Sequence, residues 1–185
     1  MNRYIIGSLA FIGLVILLVV ILFTGGGSPK KTIPAPLYSY ANSQAYVQMV
    51  VDGPIVAPQN HNSVKITINR NSANFEFIQG YNGHVISSKT FSNSENSFRN
   101  FLYALYYAGY SNGTVNSQYP SDIGLCPTGD RYDMYLVNNG NIITHYWVTN
   151  CSNTPKTYNG NFGLTLLLFN RQIPNIGTLS QNANL

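Results

Sequence analysis

Charge is what this chain has least of. Six acidic and ten basic residues among 185, 9% in all, stand against about a quarter in ordinary domains. That excludes a protein that grips nucleic acid through a basic surface, so no nucleic acid is expected as a partner. The formal +4 is an end effect: Arg3, Lys30 and Lys31 flank an apolar opening, and the rest carries seven bases and six acids. Cysteine is nearly absent, at two. A metal needs more ligands than Cys126 and Cys151, and no histidine lies at metal spacing beside either, so neither metal nor cofactor is expected. Imidazoles number three, His61, His84 and His145. No G-x-S-x-G elbow, phosphate-binding glycine loop, dinucleotide fingerprint or acidic calcium loop occurs. Apolar and aromatic residues, in contrast, are plentiful, at 44% and 13% with 14 tyrosines. Such a chain folds rather than remaining disordered.

Residues 4–23, YIIGSLAFIGLVILLVVILF, hold no charge and no proline. Twenty residues at helical rise span roughly 30 Å, the thickness of a bilayer's hydrocarbon, and lipid demands that backbone groups pair within the segment. The run predicts a single transmembrane helix with the lipid bilayer as its partner. A cleaved signal has a shorter apolar region ending in an A-x-A-like site, and none follows here, although Thr24 to Ser28 are small enough for late cleavage. One Arg before the run and two Lys after it read weakly as carboxyl end inside. A two-residue N-terminal tail is too short to be an exported domain, and the cysteines and low charge behind the run favour the exterior. Organisation follows: a tail over 1–3, the span over 4–23, a Gly/Pro linker over 24–38, an extracytoplasmic domain over 39–175 and a loose polar tail over 176–185.

Within the domain, Val64, Ile66 and Ile68 alternate with Lys65, Thr67 and Asn69, the period of a half-buried strand. Phe75 to Gln79 and His84 to Phe91 flank a Tyr81-Asn82-Gly83 turn. Ala45 to Val51 reads as a fourth strand at an edge. Ser92 to Glu95 has capping-box spacing, and Phe98, Phe101, Leu102 and Leu105 then recur on one helical face, with Gly109 as a left-handed stop. Tyr103, Tyr106, Tyr107 and Tyr110 make this helix unusually aromatic and form the candidate binding surface, a stacking face for glycan or peptide.

Arg131 to Val137 and Ile142 to Val148 read as a second hairpin. Strict alternation puts Met134, Leu136, Ile143, His145 and Trp147 on one face and Tyr135, Val137, Ile142, Tyr146 and Val148 on the other. Both faces are apolar, which predicts a place inside the sheet. Phe162 to Gln172, rich in leucine, reads as a short buried helix. The fold class expected is α+β: an N-terminal single transmembrane helix followed by a small antiparallel sheet packed with two helices.

Cys126 and Cys151 bracket the second hairpin. A turn centred between residues 138 and 139 makes them direct cross-strand partners, and a shift by one leaves them two positions apart; either brings them near bonding distance. Behind an exporting segment they are expected as a structural disulfide. The same stretch carries a family likeness. LCPTGDRYDMYLVNNGNIITHYWVTNCSNTPKTYNGN, followed by LLLFNRQIPNI, resembles a group of uncharacterised membrane-tethered or secreted proteins of the Saccharibacteria. Shared features are a C-x-T-G-x-R-Y opening at Cys126, Thr128, Gly129, Arg131 and Tyr132, a close at Trp147, Thr149 and Cys151, a Gly160-Asn161 link, and an end at Leu168, Phe169, Gln172, Ile173 and Pro174. The resemblance implies bacterial origin and export, and no mechanism.

Catalysis finds little footing. His145 beside Asp133 suggests a base with its carboxylate, yet strict alternation projects Asp133 from the opposite pleat, and Asp130 precedes the strand. Glu95 is expected in the cap and Glu76 in solvent, with Asp122, Asp130 and Asp133 near Arg131, which is expected to pair with Asp130 and Asp133. The leading expectation is a single-pass, membrane-anchored domain outside the cell that binds a cell-surface protein or glycan and is not an enzyme. A cell-wall-active hydrolase is the alternative, for which two carboxylates, or a histidine and an acid, would converge in a deep cleft. A divergent pilin-like subunit is another, although no glutamate occurs in the first 40 residues.

Overall fold

Alternating apolar side chains fix six strands, each with one face that must leave water. In a computed structural model of the chain, residues 13, 14 and 35–181 are described, and the chain divides into two compact units, Met1–Pro34 and Ala35–Leu185. The second unit contains β1 (Ala45–Asp52), β2 (Asn62–Asn69), β3 (Ser72–Gln79), β4 (His84–Ser92), β5 (Arg131–Asn138) and β6 (Asn141–Thr149). They form one antiparallel sheet in the order β4-β3-β2-β1-β5-β6.

The expected fold class is corrected. An α+β protein led by a transmembrane helix is replaced by a six-stranded antiparallel sheet with few helices, and among the described residues no helix is long and apolar enough to cross a membrane. The expected tail (1–3), span (4–23) and the linker up to residue 34 lie outside the described residues, save Gly13 and Leu14.

β1 is not an edge strand. It is hydrogen-bonded to β2 on one side and β5 on the other, so it joins the meander to the second hairpin. The edges are β4, exposed along almost its whole length, and β6. The second hairpin is therefore only half interior. At Trp147 the outer side of β6 is covered: Thr157 N–H donates to the Trp147 carbonyl at 3.0 Å, and Trp147 N–H donates to Thr157 Oγ1 at 2.8 Å. Such pairing blunts an edge that would otherwise template further strands.

One face of the sheet carries Val47, Met49, Ile66, Ile68, Phe75, Met134 and Leu136, all buried. Onto it pack a 3₁₀ helix (Leu37–Asn42), α1 (Glu95–Tyr107) and α2 (Phe162–Asn170), in one core with Leu37, Phe98, Phe101, Leu102, Leu105 and Phe169. α1 starts at Ser94, whose Oγ accepts from Ser97 N–H at 3.2 Å. The capping box expected from Ser92 is thus displaced, because Ser92 still belongs to β4, and Glu95 pairs instead with Arg99 at 2.7 Å. Gly109, at φ +78°, ends the helix in the left-handed region.

α2 is not the buried helix its leucines suggest. It meets the core on one side, with the Phe101 and Phe169 rings edge to face at 5.3 Å, and leaves Leu164 and Leu167 exposed. The expected loose tail opens as one further turn, α3 (Ile176–Leu179), with Ile176 and Leu179 packed against the core.

Candidate functional site at the polar end of the sheet

The sheet face away from the helices bears Gln48, Val50 and Asp52 from β1, Arg131, Asp133 and Tyr135 from β5, and His145 and Trp147 from β6, as the cross-strand register dictates. That register departs from strict alternation at one point. The turn is centred on Asn139-Gly140, both at positive φ, so Val137 faces Ile142; but Leu136 faces Thr144, leaving Ile143 as an extra residue in β6. The bulge turns every later side chain of β6 over. Met134 and Leu136 therefore share a face with Tyr146 and Val148, while His145 and Trp147 join Asp133 and Tyr135. The grouping of His145 and Trp147 with Met134 is corrected, and so is the separation of Asp133 from His145.

His145 Nε2 lies 2.5 Å from Asp133 Oδ1, and the His145 ring stacks on Tyr135 at 4.2 Å and 5°. Nearby, Arg131, whose side chain is 4% exposed, donates from Nη2 to Asp52 Oδ2 and to the Gly53 carbonyl. Its Nε stands 3.6 Å from Asp122 Oδ2. The expected pairing of Arg131 with Asp130 and Asp133 is replaced by this non-local pairing with Asp52 and Asp122, while Asp130 accepts from Asn150 Nδ2 at 3.0 Å. Asp52 also meets His61, Nε2 to Oδ1 at 2.9 Å, and the Nδ1 of that ring lies 3.0 Å from the Pro54 carbonyl. The His61 ring stacks on Tyr81 at 4.0 Å, and the Tyr81 hydroxyl donates to the Val56 carbonyl at 2.8 Å.

These groups line a cavity of about 690 Å³, a size at which small-molecule sites are common. Its walls add Val50, Ile55 and Ile123, so an apolar rim surrounds three carboxylates and one guanidinium. The imbalance shows in the titration of Asp122. Burial, and then the Asp133 charge, push its carboxyl up to about 6, with Arg131 opposing. Tyr135 is raised well above the ordinary phenol range, first by burial and then by Asp133 and Asp122. Among the described residues no cluster of histidine, cysteine, aspartate and glutamate could hold a metal ion.

Cys126 and Cys151 form a disulfide with Cα atoms 5.5 Å apart. They are not ladder partners as the hairpin arithmetic suggested, since β5 begins only at Arg131 and β6 ends at Thr149. The bridge ties the loop before β5, which brings Asp122 and Ile123 to the cavity, to the segment after β6. Gly129 sits beneath it: a Cβ there would stand 2.2 Å from Asn150 Oδ1 and 2.7 Å from Cys126 Sγ.

No protein-family model matches the chain, and no curated protein matches it.

The tyrosines named from sequence divide. Tyr103, Tyr106 and Tyr107 are exposed, the last to 80%, and gather around Tyr38, which stacks on Tyr103 at 4.1 Å and meets Tyr106 edge-on at 5.7 Å. Tyr110 turns inward, 1% exposed, its hydroxyl 2.9 Å from the Tyr135 carbonyl and 3.2 Å from that of Gln48. The acidic cavity, in contrast, had no place among the site residues expected from sequence. Its signal was the density of charge around Asp130-Arg131-Tyr132-Asp133 in a chain so poor in charge.

Proposed function

We propose that this is a non-catalytic binding domain, carried outside the cell and held at the membrane through its apolar N-terminal segment, whose ligand seat is the cavity at the polar end of the sheet. One observation carries the seat: Asp52, Asp122 and Asp133 share a single guanidinium in an apolar-rimmed cavity, an arrangement that a bound group would complete. The disulfide supports the exterior, where such bonds persist. The resemblance to exported proteins of the Saccharibacteria, over the stretch that contains both cysteines, supports the same address. The tyrosine cluster is the weaker seat, because Tyr38 and Tyr103 already spend a ring face on each other.

The test uses the full chain with methyl-labelled isoleucine, titrated with fractions of a cell-surface extract. Shifts confined to Ile55 and Ile123 are the expected result; binding that moves only the α1 tyrosines relocates the site. On intact cells, an impermeant amine reagent should label the domain, and labelling only after lysis overturns the exterior assignment.

One observation favours a second reading, the hydrolase. His145, Asp133 and a carboxyl raised to about 6 at Asp122 share the cavity, the materials for general acid–base work. Release of new reducing ends or free amines from peptidoglycan, abolished by Asp133→Asn and His145→Gln, would replace the binding reading with this one.

A further inference from the structure

The charges in the cavity narrow the chemistry of its ligand, provided that the cavity is the seat proposed above. Carboxylates placed this deep ordinarily have a close cation. Asp52 has two, Arg131 and His61. Asp133 has His145. Asp122, with a side chain 10% exposed, has only the Nε of Arg131 at 3.6 Å, beyond hydrogen-bond reach. One cation is missing from the set.

A second observation concerns the guanidinium itself. Arg131 is buried and lines the cavity, and its Nη1 meets no acceptor among the described residues. A buried donor left unpaired costs about 1–3 kcal/mol. An oxygen arriving beside the missing cation would satisfy it.

We propose that the cavity takes a primary ammonium that carries an acceptor oxygen a few bonds away, as a free amino acid or the amino end of a peptide does. The ammonium sits between Asp122 and Asp133, the oxygen turns to Nη1 of Arg131, and an apolar side chain lies along Val50, Ile55 and Ile123. A simple amine satisfies the carboxylates and leaves Arg131 unpaired. A simple acid does the reverse and meets three carboxylates.

Calorimetry and methyl spectra of the full chain test this with leucinamide, leucine, 3-methylbutylamine, 4-methylpentanoate and 4-methylpentanamide. Leucinamide should bind and shift Ile55 and Ile123, with 3-methylbutylamine about tenfold weaker and the last two compounds silent, as expected when buried charges are left unpaired. Leucine binding more tightly than leucinamide identifies a free amino acid as the ligand; the opposite order identifies a peptide's amino end. Asp122→Asn, which keeps the side chain's shape, should weaken leucinamide by about tenfold or more. Unchanged affinity in that variant overturns the proposal. If 4-methylpentanoate or 4-methylpentanamide moves the Ile55 and Ile123 methyls as strongly as leucinamide, the cavity remains the seat and the ammonium claim falls. If no compound moves those methyls, the ammonium claim falls here as well, and the seat itself is judged by the extract titration.

Discussion

His145 Nε2 stands 2.5 Å from Asp133 Oδ1 because β6 holds one residue more than β5 between their Leu136–Thr144 and Val137–Ile142 pairs. Without that extra residue, Ile143, Asp133 would oppose Tyr146 and the imidazole would turn to the helix-covered face. Asp133→Asn and His145→Gln, singly and together, are therefore expected to show a coupling of roughly 1 kcal/mol in denaturant melts of the full chain. Strict additivity would mean that the two side chains do not meet in solution.

The same bulge marks where sequence reading stops. Period-2 alternation located β2, β3, β4 and both strands of the second hairpin within a residue or two, because each has a face that must be buried. It could not show a one-residue slip inside Ile142-Ile143-Thr144, since apolar residues on both faces make either register acceptable. The centrality of β1 was hidden for a different reason. Its partner β5 lies about eighty residues downstream, and such pairing leaves no local trace. The cavity inherits both difficulties. Asp52, Asp122 and Arg131 come together only once β1 is paired with β5 and the disulfide has fixed the intervening loop.

Asp122 should make stability depend on pH in the unusual direction. Its carboxyl is raised from 3.8 to about 6 on folding, so between those values the folded chain holds a proton that the unfolded chain has released. This group's contribution to stability is present below that window and falls as pH rises through it, by at most about 3 kcal/mol. Asp122→Asn removes the charge in both states. The variant is expected to match the parent near pH 4 and to exceed it near pH 7. A parent whose melting temperature rises through the same window relative to the variant would show the carboxyl to be stabilised as an anion instead.

Replacing both Cys126 and Cys151 by serine releases a closure of 25 residues in sequence separation. The expected loss is about 3 kcal/mol, or roughly 10 °C in Tm for a domain of this size. Since the bridge also restrains the loop that carries Asp122 and Ile123, leucinamide affinity should fall with it. A Tm equal to the parent's would mean that the bond does not form in the native chain.

Gly160 is a point where a methyl group has no room. A Cβ there would lie 2.3 Å from the Tyr158 hydroxyl and 2.4 Å from the Gly109 carbonyl, and the latter is backbone at the end of α1. The Tyr158 hydroxyl is itself held at 2.7 Å by Thr165 of α2, so the aromatic side cannot yield cheaply either. Gly160→Ala is expected to cost more than about 2 kcal/mol, and a loss under about 0.5 kcal/mol in urea melts would contradict this packing.

Two tyrosines of one aromatic stretch should behave in opposite ways. Tyr110 spans the Gln48 and Tyr135 carbonyls from inside the core, so Tyr110→Phe removes a buried hydrogen bond and is expected to cost about 1 kcal/mol while leaving the exposed face as it was. Tyr107, 80% exposed, touches Tyr106 edge-on and little else that is recorded for its ring, so Tyr107→Ala should stay within about 0.5 kcal/mol of the parent. If ligand capture by the full chain then disappears in Tyr107→Ala and survives in Asp122→Asn, the aromatic face is the working surface and the acidic cavity is not. The cavity reading requires the reverse: capture lost with Asp122 and indifferent to Tyr107.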